Sequence, residues 1–251
     1  MRATPMMAVR GQSKFDERQP ARPRGMTDMA EPTEGVELFD ALMTTRAMRR
    51  FTDEPVADED IADCLRAAVQ APSGGNIQPY QFLVVTEPER RAQLAAIYLK
   101  AWNRYAPAVA AITPPAKTED AGRRHERNVA VSDELAHTLG AVPVHVLVLM
   151  PKISMVVSDD EGPMDVGPTS ASVYPAVQNL MLAARSKGLG TVLTTVYRVY
   201  EDEVRAVCGI PDRFEVVALL PIGHPRGKWG VAARRPAASL TSWNHYGERR
   251  A

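Results

Sequence analysis

The sequence predicts one domain that mixes helices with strands, and three observations predict it. Segments with helical spacing of apolar residues alternate with short β-branched runs at 81–86, 142–150 and 214–222. The chain has 251 residues, and single domains run to roughly 100–200 residues with some near 250. Its 45% hydrophobic and 24% charged residues are the proportions of a chain that can bury a core.

The elements follow in order. Residues 1–35 carry Pro5, Pro20, Pro23 and Pro32 with few large apolar side chains, so burial does not offset the entropy of ordering them; a disordered arm is expected, with Met26 as an alternative start. From Val36 the spacing of Leu38, Phe39, Leu42 and Met43 puts one apolar face on a helix that ends in Arg46, Arg49 and Arg50. A second helix is expected after Ala57, capped by Asp58, with Ile61, Leu65, Ala68 and Val69 on one face and Pro72 as its stop. Residues 73–76 read as a loop and 81–86 as a strand, and Pro88 opens a helix through about Tyr98.

Residues 104–140 leave two readings open. Pro107, Pro114 and Pro115 break the first part, and Arg123, Arg124, His125, Glu126 and Arg127 crowd the second, as in a mobile charged excursion over a site or a solvated surface helix. Next come a buried strand at 142–150, despite His145, and a broadly apolar helix at 172–187, buried in the core or against another subunit and stopped by Gly188. A short strand at 191–195, a helix at 201–208 and a strand at 214–222 complete the pattern. The tail 226–251, with Trp229, Trp243 and Tyr246, is expected to dock, with a partner chain as one candidate surface.

Several classes are excluded. Thirty basic and thirty acidic side chains cancel, so no global positive field holds a nucleic acid. The apolar stretches 141–150 and 216–222 fall short of the roughly 20 residues of a membrane-spanning helix. Cys64 and Cys208 lie far apart without a metal-type spacing, and read as buried reduced thiols suited to a reducing cytoplasm. The five His include no i, i+4 pair, so no metal site is expected. No G-x-S-x-G elbow, P-loop or helix-opening G-x-G-x-x-G occurs, which weakens hydrolase, P-loop and dinucleotide-fold dehydrogenase readings.

Three pieces remain, each suited to a phosphorylated planar ligand. In TTRAMRRF (44–51), Arg46 and Arg49 stand three apart at a helix end and can grip one anion with forked donors, or simply complement the helix dipole. APSGGNIQP (71–79) is a tight turn with exposed amide donors, or only a turn before a strand. GLGTVLTT (188–195) ends in the hydroxyls of Thr194 and Thr195, with Arg234 and Arg235 following late in the chain.

With P-V-x-x-E-x-I from Pro55, the run VQNLMLAARSKGLGT and ALLPIGHPRGK followed by ARRP, these pieces stand in an order that resembles the FMN-dependent nitroreductase family from about Val36 to Leu240. The resemblance implies an α+β nitroreductase-like fold, with a central, mostly antiparallel sheet flanked by helices. It implies a single FMN-binding domain at 36–251 and an intertwined homodimer with shared active sites, the C-terminal arm docking on the partner. FMN would be gripped by Arg46 and Arg49, the Met48 backbone and Arg234 or Arg235. Leu193, Thr194 and Thr195 would lie beside the ring, and Pro72, Ser73, Asn76 and Gln78 would come from the second subunit. The implied activity passes hydride from NAD(P)H through flavin N5 to a small nitroaromatic or quinone-like acceptor by a ping-pong mechanism. The cofactor carries the chemistry, so no protein side chain is assigned as catalytic. Dehalogenation, ene reduction, flavin fragmentation and flavin binding without turnover are the alternatives. The segment 123–127 is a candidate for contacting the extra phosphate of NADPH or for closing over the ring. Two departures stand out: the family usually has Arg-Arg-Ser or Arg-His-Ser where this chain has Thr45-Arg46-Ala47, and Trp229 and Trp243 fall in a region that varies.

Overall fold

A computed structural model describes residues 36–153, 156–165 and 167–250; the expected disordered arm at 1–35 lies outside the described residues. In chain order the elements are α1 (Leu38–Thr44), α2 (Asp58–Ala68), β1 (Gln81–Val85), α3 (Pro88–Ile112), α4 (Glu119–Thr138) and β2 (Val144–Pro151). They continue with β3 (Val156–Asp159), β4 (Gly162–Asp165), α5 (Tyr174–Ser186), β5 (Gly190–Thr191), α6 (Glu201–Cys208) and β6 (Phe214–Gly223).

Strands β1, β2, β6 and β5 lie in that order in one antiparallel sheet, with Val146 between Val84 and Leu220. Continuous apolar runs suit β2 and β6 because both faces of the sheet are covered. On one face Val144, Val146, Val148, Ala218 and Leu220 meet Ile61, Cys64 and Ala68 of α2 and Val177, Leu180 and Ala184 of α5. On the other, Leu147, Leu149, Val216 and Leu219 meet Leu94, Ile97 and Tyr98 of α3, Leu135 of α4 and Val204 of α6. The β2–β6 register shifts between Val148 and Leu149, opposite Ala218 and Val216, which leaves Val217 as an extra residue in β6. The antiparallel sheet between helices is the predicted α+β arrangement.

The structure corrects several expectations. Helix α1 ends at Thr44, and Arg46, Arg49 and Arg50 follow in irregular chain rather than at a helix end. The Thr44 and Thr45 hydroxyls donate back to the Asp40 and Ala41 carbonyls, using up the last turn. The apolar face of α1 is uncovered in the single chain: Phe39 is 71% exposed, and Leu38, Leu42 and Met43 are exposed with it. Ala57, not Asp58, is the N-cap of α2.

Helix α3 runs on to Ile112 with Pro107 in its interior. The carbonyl that Pro107 deprives of a partner belongs to Asn103, an exposed residue within reach of solvent donors. Residues 119–138 form a largely solvated helix, in which Arg123 pairs with Glu119 and Asp120 and Arg124 pairs with Asp120, one turn away. The strand expected at 191–195 contracts to Gly190–Thr191 plus a single bridge between Thr194 and Leu219. The β3–β4 hairpin was not anticipated. In the tail, residues 231–250 are largely exposed around a short turn at Ala237–Leu240.

Candidate active site

Met48 sets the position of the arginine segment. Its N–H donates to the Thr191 carbonyl at 2.9 Å and its side chain is buried. Thr52 N–H donates to the His224 carbonyl at 2.9 Å, and Arg226 N–H donates to the Arg50 carbonyl at 3.0 Å, so residues 48–52 run beside β5 and the end of β6. Gly190 makes the approach possible, because a Cβ there would stand 2.9 Å from Met48 Cβ and 3.0 Å from Pro225 Cβ. The second glycine of GLG is therefore a packing requirement, whereas Gly188, at φ +74°, is the left-handed stop of α5.

The arginines diverge from this anchored segment. Arg46 is exposed and its Nη2 donates to the Lys228 carbonyl at 2.6 Å. Arg49 is half-buried, and its charge acts on the Tyr98 phenol. Burial pushes that phenol above its ordinary range, while its hydrogen bond with Thr194 and the Arg49 guanidinium pull it back. Tyr98 OH and Thr194 Oγ1 are 2.8 Å apart. The Thr194 N–H and carbonyl both pair with Leu219, leaving exposed Thr195 and half-buried Leu193 as its freer neighbours.

Loop 72–78 is organised separately. Gln78 N–H donates to Ser73 Oγ at 3.1 Å, Gly74 N–H donates to Ser172 Oγ at 3.1 Å, and Gln78 Nε2 donates to Asn76 Oδ1 at 3.2 Å. Gly75, Asn76 and Gln78 all take left-handed backbone, at φ +56°, +54° and +46°. For the two non-glycine residues this is stored strain of about 1–3 kcal/mol each, a feature that clusters at ligand-binding loops. Pro72, Asn76 and Gln78 are exposed.

The structure thus brings Arg46, Met48 and Arg49 together with the strand that leads into Leu193, Thr194 and Thr195. The bonds of loop 72–78 run to Ser172 and within itself, not to that cluster, among the described residues. Arg234 and Arg235 are exposed in the tail, and Arg234 Nη1 meets the Ala233 carbonyl at 3.2 Å. Sequence reasoning missed Tyr98 and Arg185. Tyr98 gave no signal beyond an apolar helix position. Arg185 did, as a charge on a helix that otherwise reads as buried; its Nε donates to Thr44 Oγ1 at 3.2 Å, and its guanidinium lies 4.3 Å from the Trp229 ring centre.

Residues 42–224 match the sequence profile described as the nitroreductase family. The chain is 27% identical over 214 residues to an NADH dehydrogenase of Thermus thermophilus, covering 81% of this chain and 94% of that one. It is 28% identical over 190 residues to an iodotyrosine deiodinase of Thermotoga neapolitana, covering 75% and 88%. Among solved structures it superposes on the FMN and NADPH-dependent nitroreductase NfnB of sphigopyxis sp. strain HMH with a TM-score of 0.62, at 24% identity over 84% of this chain and 100% of the other. That likeness establishes the shared fold.

Proposed function

Because this chain belongs to the nitroreductase family, we propose that it is an NAD(P)H-dependent FMN oxidoreductase acting on small nitroaromatic or quinone-like acceptors. The observation that carries this reading is a pair of arginines, Arg46 and Arg49, anchored by Met48 on β5 and without an ion pair among the described residues. Other arginines, such as Arg50, Arg66, Arg90 and Arg198, instead face carboxylates. A donor set of guanidiniums without counter-charges fits a phosphate monoester, which accepts forked hydrogen bonds.

FMN, when bound, supplies hydride transfer between the nicotinamide and the acceptor. In this reading Arg46 and Arg49 hold its phosphate end, with Arg234 and Arg235 adding charge, and Leu193, Thr194 and Thr195 border the ring. Tyr98 fixes the Thr194 hydroxyl, and no side chain is assigned a proton-transfer step. Residues 36–251 act as one domain, and a second copy contributes Pro72, Ser73, Asn76 and Gln78. The uncovered face of α1 supports a homodimer, since Leu38, Phe39, Leu42 and Met43 otherwise meet water. The two unpaired thiols suit a cytoplasmic setting.

The absorbance spectrum of the purified protein, taken before and after anaerobic NADPH and NADH, tests the cofactor and the redox reaction together. A flavin spectrum that bleaches with either nucleotide and recovers with a nitroaromatic is expected. Colourless protein that takes up no added FMN contradicts the reading. A second reading, reductive dehalogenation on the same scaffold, is favoured by the likeness to an iodotyrosine deiodinase; turnover of halophenols faster than of nitroaromatics would select it. Phe39→Asp is expected to convert a dimer into a monomer in gel filtration. A wild-type chain that is monomeric while holding FMN would remove the shared-site proposal.

A further inference from the structure

We propose that Arg185 binds the terminal phosphate of the flavin together with Arg46, as a phosphate-gripping residue supplied by α5. The inference rests on the FMN reading above and deepens it. Arg185 is only 9% exposed, yet no carboxylate of the described residues pairs with it. Lys187, two residues further on, shows the contrast: its ammonium lies 2.8 Å from Asp60 and 2.5 Å from Asp63. A buried guanidinium without a counter-charge is costly. One hydroxyl and one indole face offset part of that, and the remainder is the driving force for an anion.

Three contacts place Arg185 and Arg46 at one crossing of the chain. Arg185 Nε donates to Thr44 Oγ1, two residues before Arg46. The Arg185 guanidinium lies against the Trp229 ring, and Arg46 Nη2 donates to the carbonyl of Lys228, the residue before that tryptophan. The two guanidiniums thus flank the place where residues 44–46 pass residues 228–229. Among the described residues the Arg185 side chain makes one hydrogen bond, from Nε to Thr44, so its terminal nitrogens have no protein acceptor there. The Nε–Thr44 bond and the indole fix the plane of the fork, which leaves its outer edge for two phosphate oxygens. Riboflavin, which has the same ring and ribityl chain without the phosphate, separates this role from packing.

The test is a titration of wild type, Arg185→Gln and Arg185→Lys with FMN and with riboflavin, followed by flavin fluorescence, with thermal melts as the folding control. Arg185→Gln is expected to weaken FMN about 10- to 100-fold, the range of a lost charge-assisted hydrogen bond, and to change riboflavin by less than about threefold. Arg185→Lys keeps the charge but not the fork and should fall between; it carries the test if the Gln variant does not fold. Equal weakening of both flavins shows that Arg185 only holds Trp229, and overturns the assignment while leaving the FMN reading intact. Unchanged FMN affinity overturns it as well. Wild-type protein that binds neither flavin overturns the FMN reading, and the assignment with it.

Discussion

Gly190→Ala is expected to destabilise the protein by about 1–3 kcal/mol, the usual range for overpacking a well-packed site, and to release FMN. The added methyl would stand 2.9 Å from Met48 Cβ and 3.0 Å from Pro225 Cβ. Both are atoms next to backbone, so no rotamer change relieves the contact. The relief available is a shift of residues 46–50 away from β5, which breaks the Met48 N–H to Thr191 bond and displaces Arg46 and Arg49 together. Gly188→Ala is the matched control. Its new methyl meets nothing within 4 Å, and its φ of +74° is the only obstacle, a strain of about 1–2 kcal/mol for a side chain in left-handed backbone. Chemical denaturation and FMN titration of both variants check the pair. Two variants of similar stability should differ in flavin affinity, with only Gly190→Ala losing it. Retention of FMN by Gly190→Ala at wild-type affinity would show that the arginine segment does not depend on β5 for its position.

The same glycines show what could and could not be read from the chain. The strands at β1, β2 and β6 were legible because a sheet covered on both faces needs unbroken apolar runs, and α2 and α5 because their buried stripes keep helical spacing. The passage of α3 through Pro107 was not legible, since the missing hydrogen bond matters only if its acceptor is buried, and Asn103 is exposed. The β3–β4 hairpin has a turn signal at Asp159–Gly162, but its strands carry Pro163 and exposed Val156 and Met164 instead of a buried alternation. Periodicity revealed the apolar face of α1 without revealing what covers it. The motif order nominated Arg46, Arg49 and residues 193–195 as candidates, while the bond that joins Met48 to β5 is a long-range contact that spacing does not encode. The reading of Arg46 and Arg49 as neighbours on a helix end depended on α1 lasting a turn longer than it does. Tyr98 is a single polar group within a helix that no motif announces, and Arg185, although inside the run VQNLMLAARSKGLGT, stands out only as a charge on an apolar helix.

Acidification should weaken the fold through His145. This ring sits fully buried in β2, with Nε2 at 2.9 Å from the Leu139 carbonyl and Nδ1 without a partner. The Nε2–H tautomer is therefore the one that satisfies the site, and a second proton on Nδ1 would have no acceptor. Burial pushes the pKa down from 6.5 to about 4; the Leu139 hydrogen bond opposes this, and the Arg91 charge on α3 adds to it. The unfolded chain thus binds the proton more readily than the folded one between those two values. Stability is fully present above about pH 6.5, is lost as the pH falls, and levels off below about 4. The full loss is about 3 kcal/mol, of which about 2 kcal/mol is gone by pH 5. His145→Gln keeps an N–H for the Leu139 carbonyl and does not titrate, so the difference between the two proteins isolates the His145 contribution. Urea denaturation at pH 7.5, 6 and 5 is expected to show wild type losing its advantage over the Gln variant as the pH falls. A stability difference that stays constant across that range would mean that His145 is hydrated or repacked in solution, because a ring sealed between β2 and α3 has no other way to escape the penalty.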